Sequence, residues 1–291
     1  MKSVCLTTAT ILALATGSNA WEKPARPCDG PGCEVNVDPN NNVDGTYNFL
    51  HGKRNGVKGH KNWVVGSDNG IVGSKNGVYG NSNYVDGNQN ALNGHHNGVK
   101  GDRNKVKGNK NYAKGNENAI GGNGNNALGN SNNIWGNDNN ADGNGNEFDG
   151  NENGVWGNYN SFRGNRNQGK GDWNQVEGND NKFIGHENTL RGNRNKVKGN
   201  RNGVDGEDNN VVGNKNRLRG NKNGVYGDRN GIDGSWNNVY GNDNGIEGDE
   251  NYVEGEYNGI RGNQNKFKGN NNFADGNRNR VNGNDNGLWG S

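Results

Sequence analysis

The chain has 291 residues, 54 of them Gly, with 26% hydrophobic residues and a mean hydropathy of −1.26. Such figures usually mark disorder, because too little apolar surface is available to offset chain entropy. A net charge of only +2 argues against the self-repulsion typical of disordered tracts, and against the strong positive field that nucleic-acid binding requires.

Residues 1–20 read as a signal peptide. Lys2 supplies the positive start, Val4 to Thr16 the short apolar stretch, and Ser18 and Ala20 the small residues before cleavage. Secretion is therefore expected, and no later apolar run is long enough to span a bilayer. Residues 21–44 form a short cap or arm that holds all four prolines, Pro24, Pro27, Pro31 and Pro39. Cys5 leaves with the signal peptide, so Cys28 and Cys33, in Cys-Asp-Gly-Pro-Gly-Cys, are expected to pair across a Pro-Gly turn.

From Gly45 the remainder, 45–291, is one unbroken repeat: 35 consecutive heptads of the form Gly-x-x-Asn-x-φ-x, with φ usually aliphatic. Fixed short periods mark repeat architectures. Seven is also the coiled-coil period, but each heptad has one apolar place rather than two. A Gly every seventh residue, at about 1 kcal/mol each, excludes a helix. The x-φ-x stretch instead fits a very short strand with its middle residue buried, and the Gly fits a bend.

The structural unit is two heptads. When sixth-place residues are taken alternately, all five Leu (Leu50, Leu92, Leu190, Leu218, Leu288) fall in one column, with most Ile, and most Val in the other. Sizes compensate: Gly169 is followed one coil later by Phe183, and Ala274 lies beside Phe267. The predicted fold is an all-β parallel β-solenoid, a β-roll with 14-residue coils. Coils stacked at about 4.8 Å make a rod of about 80 Å.

The fourth-place Asn residues (Asn48, Asn55, Asn62, Asn69, Asn76, Asn83 and onward) then form two ladders, with side-chain amides bonding the next coil. Exposed places carry charge that alternates at the coil period. One row runs Asp149, Arg163, Glu177, Arg191, Asp205, Arg219. Opposite charges stacked between coils attract. Each exposed pair is worth about 0.2–1 kcal/mol.

The heptad, shown by Gly80-Asn81-Ser82-Asn83-Tyr84-Val85-Asp86, resembles the head repeats of YadA-like trimeric autotransporter adhesins. The resemblance implies a left-handed parallel β-roll with 14-residue coils, and a trimeric surface adhesin.

Catalysis finds no foothold, and no cofactor or metal site is expected. His95 and His96 are adjacent, but nothing else gathers near them. Asp at the second place, in Asp102, Asp172, Asp228 and Asp249, is a weak calcium signal. Coils without insertions leave no loops from which to build a cleft. The chain is thus expected to be a non-enzymatic, secreted structural or adhesive rod, with self-association. The alternative is an ice- or glycan-binding β-solenoid. Scarce Thr and charge on every face stand against ice. Candidate surface contacts, to a glycan or another extracellular surface ligand, are Trp63, Trp135, Trp156, Trp173 and Trp236.

Overall fold

A computed structural model describes residues 35–36 and 39–289. The signal peptide, Cys28 and Cys33 lie outside the described residues. The chain winds as a parallel β-solenoid. Each heptad contributes one three-residue strand, from Phe49–His51 to Gly287–Trp289, and no helix occurs among the described residues. Alternate strands stack in register. Leu50 sits on Val64 and Val64 on Val78 in the first sheet; Val57 sits on Ile71 and Ile71 on Val85 in the second. The register advances by 14 residues at every step and never slips. Pairing also reaches upstream of Gly45, where Val35–Asn36 pairs with Phe49 and Leu50, and Asn42–Asp44 with Gly56–Lys58.

The two sheets face each other across a core one residue thick. Leu50, Val64, Val78 and their column come from the first sheet; Val57, Ile71, Val85 and theirs from the second. Fifth- and seventh-place residues flank each buried residue and point outward, because successive side chains in a strand alternate faces. One buried apolar side chain per heptad is a thin core for the length of chain it orders. Polar groups must therefore supply much of the order between coils.

The bends explain the invariant places. At Gly115, φ is +128°, and an added Cβ would fall on the carbonyl oxygen of Gly129 in the next coil. No L side chain tolerates both. The third place is left-handed too. Every non-Gly residue there, from Tyr47 to Asp285, has φ between +53° and +62°. None of the 35 third places holds Val, Ile, Thr or Pro. β-Branched side chains are disfavoured in that conformation, and the proline ring forbids it. The third place had looked free from the sequence; it is restricted by backbone shape.

Candidate functional site

The bends are closed by side chains. First-, third- and fifth-place N–H groups reach backbone carbonyls in neighbouring coils: Gly59 to Asp44 at 2.8 Å, Lys61 to Thr46 at 3.1 Å, Phe49 to Asn62 at 2.8 Å. The second- and fourth-place N–H groups find side-chain acceptors instead. Asn146 shows the fourth-place pattern. Its N–H and its Nδ2 donate to Oδ1 of Asn132 at 3.0 and 3.1 Å, and Nδ2 also donates to the Gly157 carbonyl at 2.9 Å. Its own Oδ1 accepts from the N–H and Nδ2 of Asn160 at 3.0 and 3.1 Å. Both amide hydrogens and both acceptor sites are used, which is what a fully buried amide requires. The six residues from Asn48 to Asn83 occupy the same buried place.

The second place forms another ladder at the surface. Asn109 donates its N–H to Asn123 Oδ1 at 2.9 Å, and Asn123 donates likewise to Asn137 at 2.9 Å. Asp serves as well as Asn. Asp102 Oδ1 accepts from Asn88 N–H at 2.6 Å, Asp228 from Asn214 at 2.6 Å, and Asp249 from Ser235 at 2.7 Å. His60, His95 and His186 accept through Nδ1, each at 3.0 Å, from the N–H of the preceding coil. Hydrogen bonds from the Asn158 N–H and Nδ2 hold the Asp172 carboxyl below the usual carboxylate range. These residues close the backbone, a role that the sequence reading did not assign to them. Its signal was the run of short acceptors at this place: Asn, Asp, Ser, Thr and His.

What is left for a partner is the outward surface of the two flat sheets and the third-place rows. Six ion pairs between coils lie along the third-place rows among the described residues. Arg54 meets Asp68, Arg166 meets Asp180 and Arg194 meets Asp208, at 2.6–2.7 Å. Each Arg holds its Asp carboxyl below the usual range.

The first-sheet face divides in two. From Phe49 to Trp135 its outward places are uncharged except for Lys105 and Lys107. Small residues lie in the middle, at Gly77, Ala91, Ala119 and Gly121. The Trp135 ring lies over Gly121, where a Cβ would strike its Cε3 and Cζ3 atoms. Trp63 stacks on Phe49 with centroids 3.9 Å apart. Beyond Glu147 the seventh-place row becomes a charge ladder. Arg191 lies 3.8 Å from Glu177, Arg219 3.7 Å from Asp233, and Arg261 3.1 Å from Glu247.

The five tryptophans do not meet. Trp63 and Trp135 share the first face about five coils apart, and Trp156 lies on the second. Trp173 stacks on Tyr159 at one bend, with centroids 4.4 Å apart. Trp236 sits at the other bend, its ring 4.0 Å from Lys222 Nζ.

Two flat sheets, a one-residue core and saturated Asn columns define a class: a short-coil β-roll with its outward ranks spaced by one coil. The chain belongs to the grass antifreeze beta roll family, whose profile matches residues 29–120, 141–234 and 213–291. No curated protein matches it. The family match overturns the resemblance to YadA-like head repeats, and with it the implied trimeric adhesin. Both patterns wind two Gly-containing heptads per coil, so period and Gly cannot separate them.

Proposed function

We propose that the protein binds ice, extracellularly, through the stretch of the first-sheet face between Phe49 and Trp135, where Lys105 and Lys107 are the only Lys or Arg and no acid occurs. The family's antifreeze description is the observation that carries this reading. The face supports it physically. Outward residues recur at one coil spacing, about 4.8 Å, on a backbone whose register does not slip. Water held in the first shell of such a surface is ordered by a repeating frame rather than by isolated groups. Ionised side chains hold their own hydration tightly and resist giving it up. The charge ladder beyond Glu147 is therefore the weaker surface for ice.

The absence of Thr ranks weighed against ice in the sequence. The family match shifts that balance. A binding role, rather than a catalytic one, follows from the same reading. The structural or adhesive rod, with self-association, is the secondary reading, and no described contact favours it over ice.

The test is partition into ice. Fluorescently labelled protein is cooled with a slowly growing ice hemisphere and the frozen fraction is assayed. Enrichment in the ice is expected. Exclusion at the level of an inert protein of similar size would overturn the reading.

A further inference from the structure

The second-sheet face carries a different pattern. From Gly154 to Tyr240 its outward places read Gly154, Trp156, Gln168, Lys170, Lys182, Ile184, Lys196, Lys198, Asn210, Val212, Gly224, Tyr226, Asn238, Tyr240. No acid interrupts this stretch. Four lysines from three consecutive coils lie at its centre, all exposed. Lys182 pairs in register with Lys196, and Ile184 with Lys198. Like charges stacked directly opposite destabilise a sheet. Elsewhere on this face three cations are answered: Lys268 lies 2.8 Å from Glu254, Lys100 4.0 Å from Asp86, and Lys266 lies over the Tyr252 ring. Lys58, Lys114 and Arg280 have no ion pair within 4.0 Å among the described residues, but they do not cluster as the central four do. Among the described residues, none of the four central lysines has an ion pair within 4.0 Å. Asp180 and Asp208, which line one depression with Lys182 and Lys196, are already engaged by Arg166 and Arg194.

We propose that this face binds a linear polysaccharide carrying carboxylate groups. The four ammonium groups supply the charge complement. Lysine offers a compact, mobile point charge, suited to anions that recur along a flexible chain. Gln168 and Asn210 border the lysines with amides that can donate to and accept from sugar hydroxyls. Trp156 lies beyond one end. Tyr226 and Tyr240 lie beyond the other, stacked with centroids 5.2 Å apart. Aromatic groups of this kind give apolar contact to the C–H surface of a sugar. The stretch spans six coil steps, about 29 Å, which suits an extended polymer. A nucleic acid fits less well, because the chain as a whole carries only +2 and gives no long-range field. A membrane fits less well, because Ile184 is the one aliphatic side chain among the lysines.

The proposal does not rest on ice binding, and it uses the opposite face. The probe is polygalacturonate, titrated at low salt into the full chain. Three references accompany it: uncharged dextran, a DNA duplex, and phosphatidylserine vesicles. Binding of polygalacturonate but not dextran is expected, and it should weaken steeply as salt rises. The variant K170Q/K182Q/K196Q/K198Q should lose at least tenfold in affinity while keeping the parent melting temperature and ice partition. The matched variant K53Q/K61Q/K75Q/K215Q removes equal charge from the bends and should bind as the parent does. Equal loss in both variants would reduce the effect to net charge and overturn the site. Tighter binding of DNA or vesicles than of polygalacturonate would overturn the ligand, and so would no binding at all.

Discussion

The Phe183 ring occupies the space that a Cβ on Gly169 would take, one coil away in the same core column. Phe183 also meets Phe162 edge-on, with centroids 5.4 Å apart. Gly169 is therefore a packing residue. Gly169→Ala alone should destabilise by about 1–3 kcal/mol through overpacking. Combined with Phe183→Leu it should recover much of that loss. Thermal melts of the two single variants and the double variant would measure the coupling; simple additivity would contradict the account.

The Asn146 amide ties three coils together. Asn146→Ala leaves the Gly157 carbonyl and the Asn160 N–H without these partners, and takes one bond each from Asn132 Oδ1 and Asn160 Nδ2. Each buried group left unpaired costs about 1–3 kcal/mol, so a loss of about 3–5 kcal/mol is expected. Hydrogen exchange should show protection lost around coils 132–160 before the rest of the rod, since coils contact only their neighbours. Uniform exchange along the rod would argue against a local role.

The left-handed third place makes a prediction that surface exposure alone would not. Lys110→Val should cost about 1–2 kcal/mol, because φ is +56° there, whereas Lys110→Asn should be near neutral. The same change at Lys114, on an extended strand, should be tolerated. Equal melting temperatures for Lys110→Val and Lys114→Val would show that the bend can relax.

Acid should loosen the rod. Asp68, Asp180, Asp208 and Asp243 are held below the usual carboxylate range by hydrogen bonds from Arg54, Arg166, Arg194 and Arg229. A carboxyl whose folded pKa is depressed stabilises the fold above its unfolded pKa, and that stability is lost as pH falls through the folded value. Melting temperature should therefore hold down to about pH 4 and decline below it. Since these pairs are solvent-exposed, added salt should shrink the effect. A melting temperature that rises on acidification would contradict the assignment.

Much of the architecture was legible in the sequence because it rests on places that never vary. The seven-residue Gly and Asn, and the two alternating core columns, are enough to set strand, bend and coil. Lys110 and Asn123 show why the rest was not. Their places tolerate several residue types, so they look unconstrained. The constraint is a backbone angle at one and an acceptor atom at the other, and each is met by chemically different side chains. The tryptophans are a different case. Trp63 and Trp173 find aromatic neighbours one coil away, so each is explained locally, without a shared site. The family was missed because period and Gly are common to unrelated rolls.

The central claim is that the half of the first face before Glu147, with only Lys105 and Lys107 charged, contacts ice, and the growth of a single ice crystal in the presence of variants tests it. Ala91→Lys with Ala119→Lys places two charges on that half. Gly231→Lys with Gly245→Lys places the same charges on the same sheet beyond Glu147, where a Cβ meets nothing within 4 Å. Each pair stacks like charges in register, the first on either side of Lys105, so both should melt somewhat below the parent but stay folded in the cold. The account predicts that the first pair abolishes the slowing of ice growth and the second leaves it intact. Equal loss in both, unchanged activity in both, or a parent protein that does not slow ice growth would contradict it.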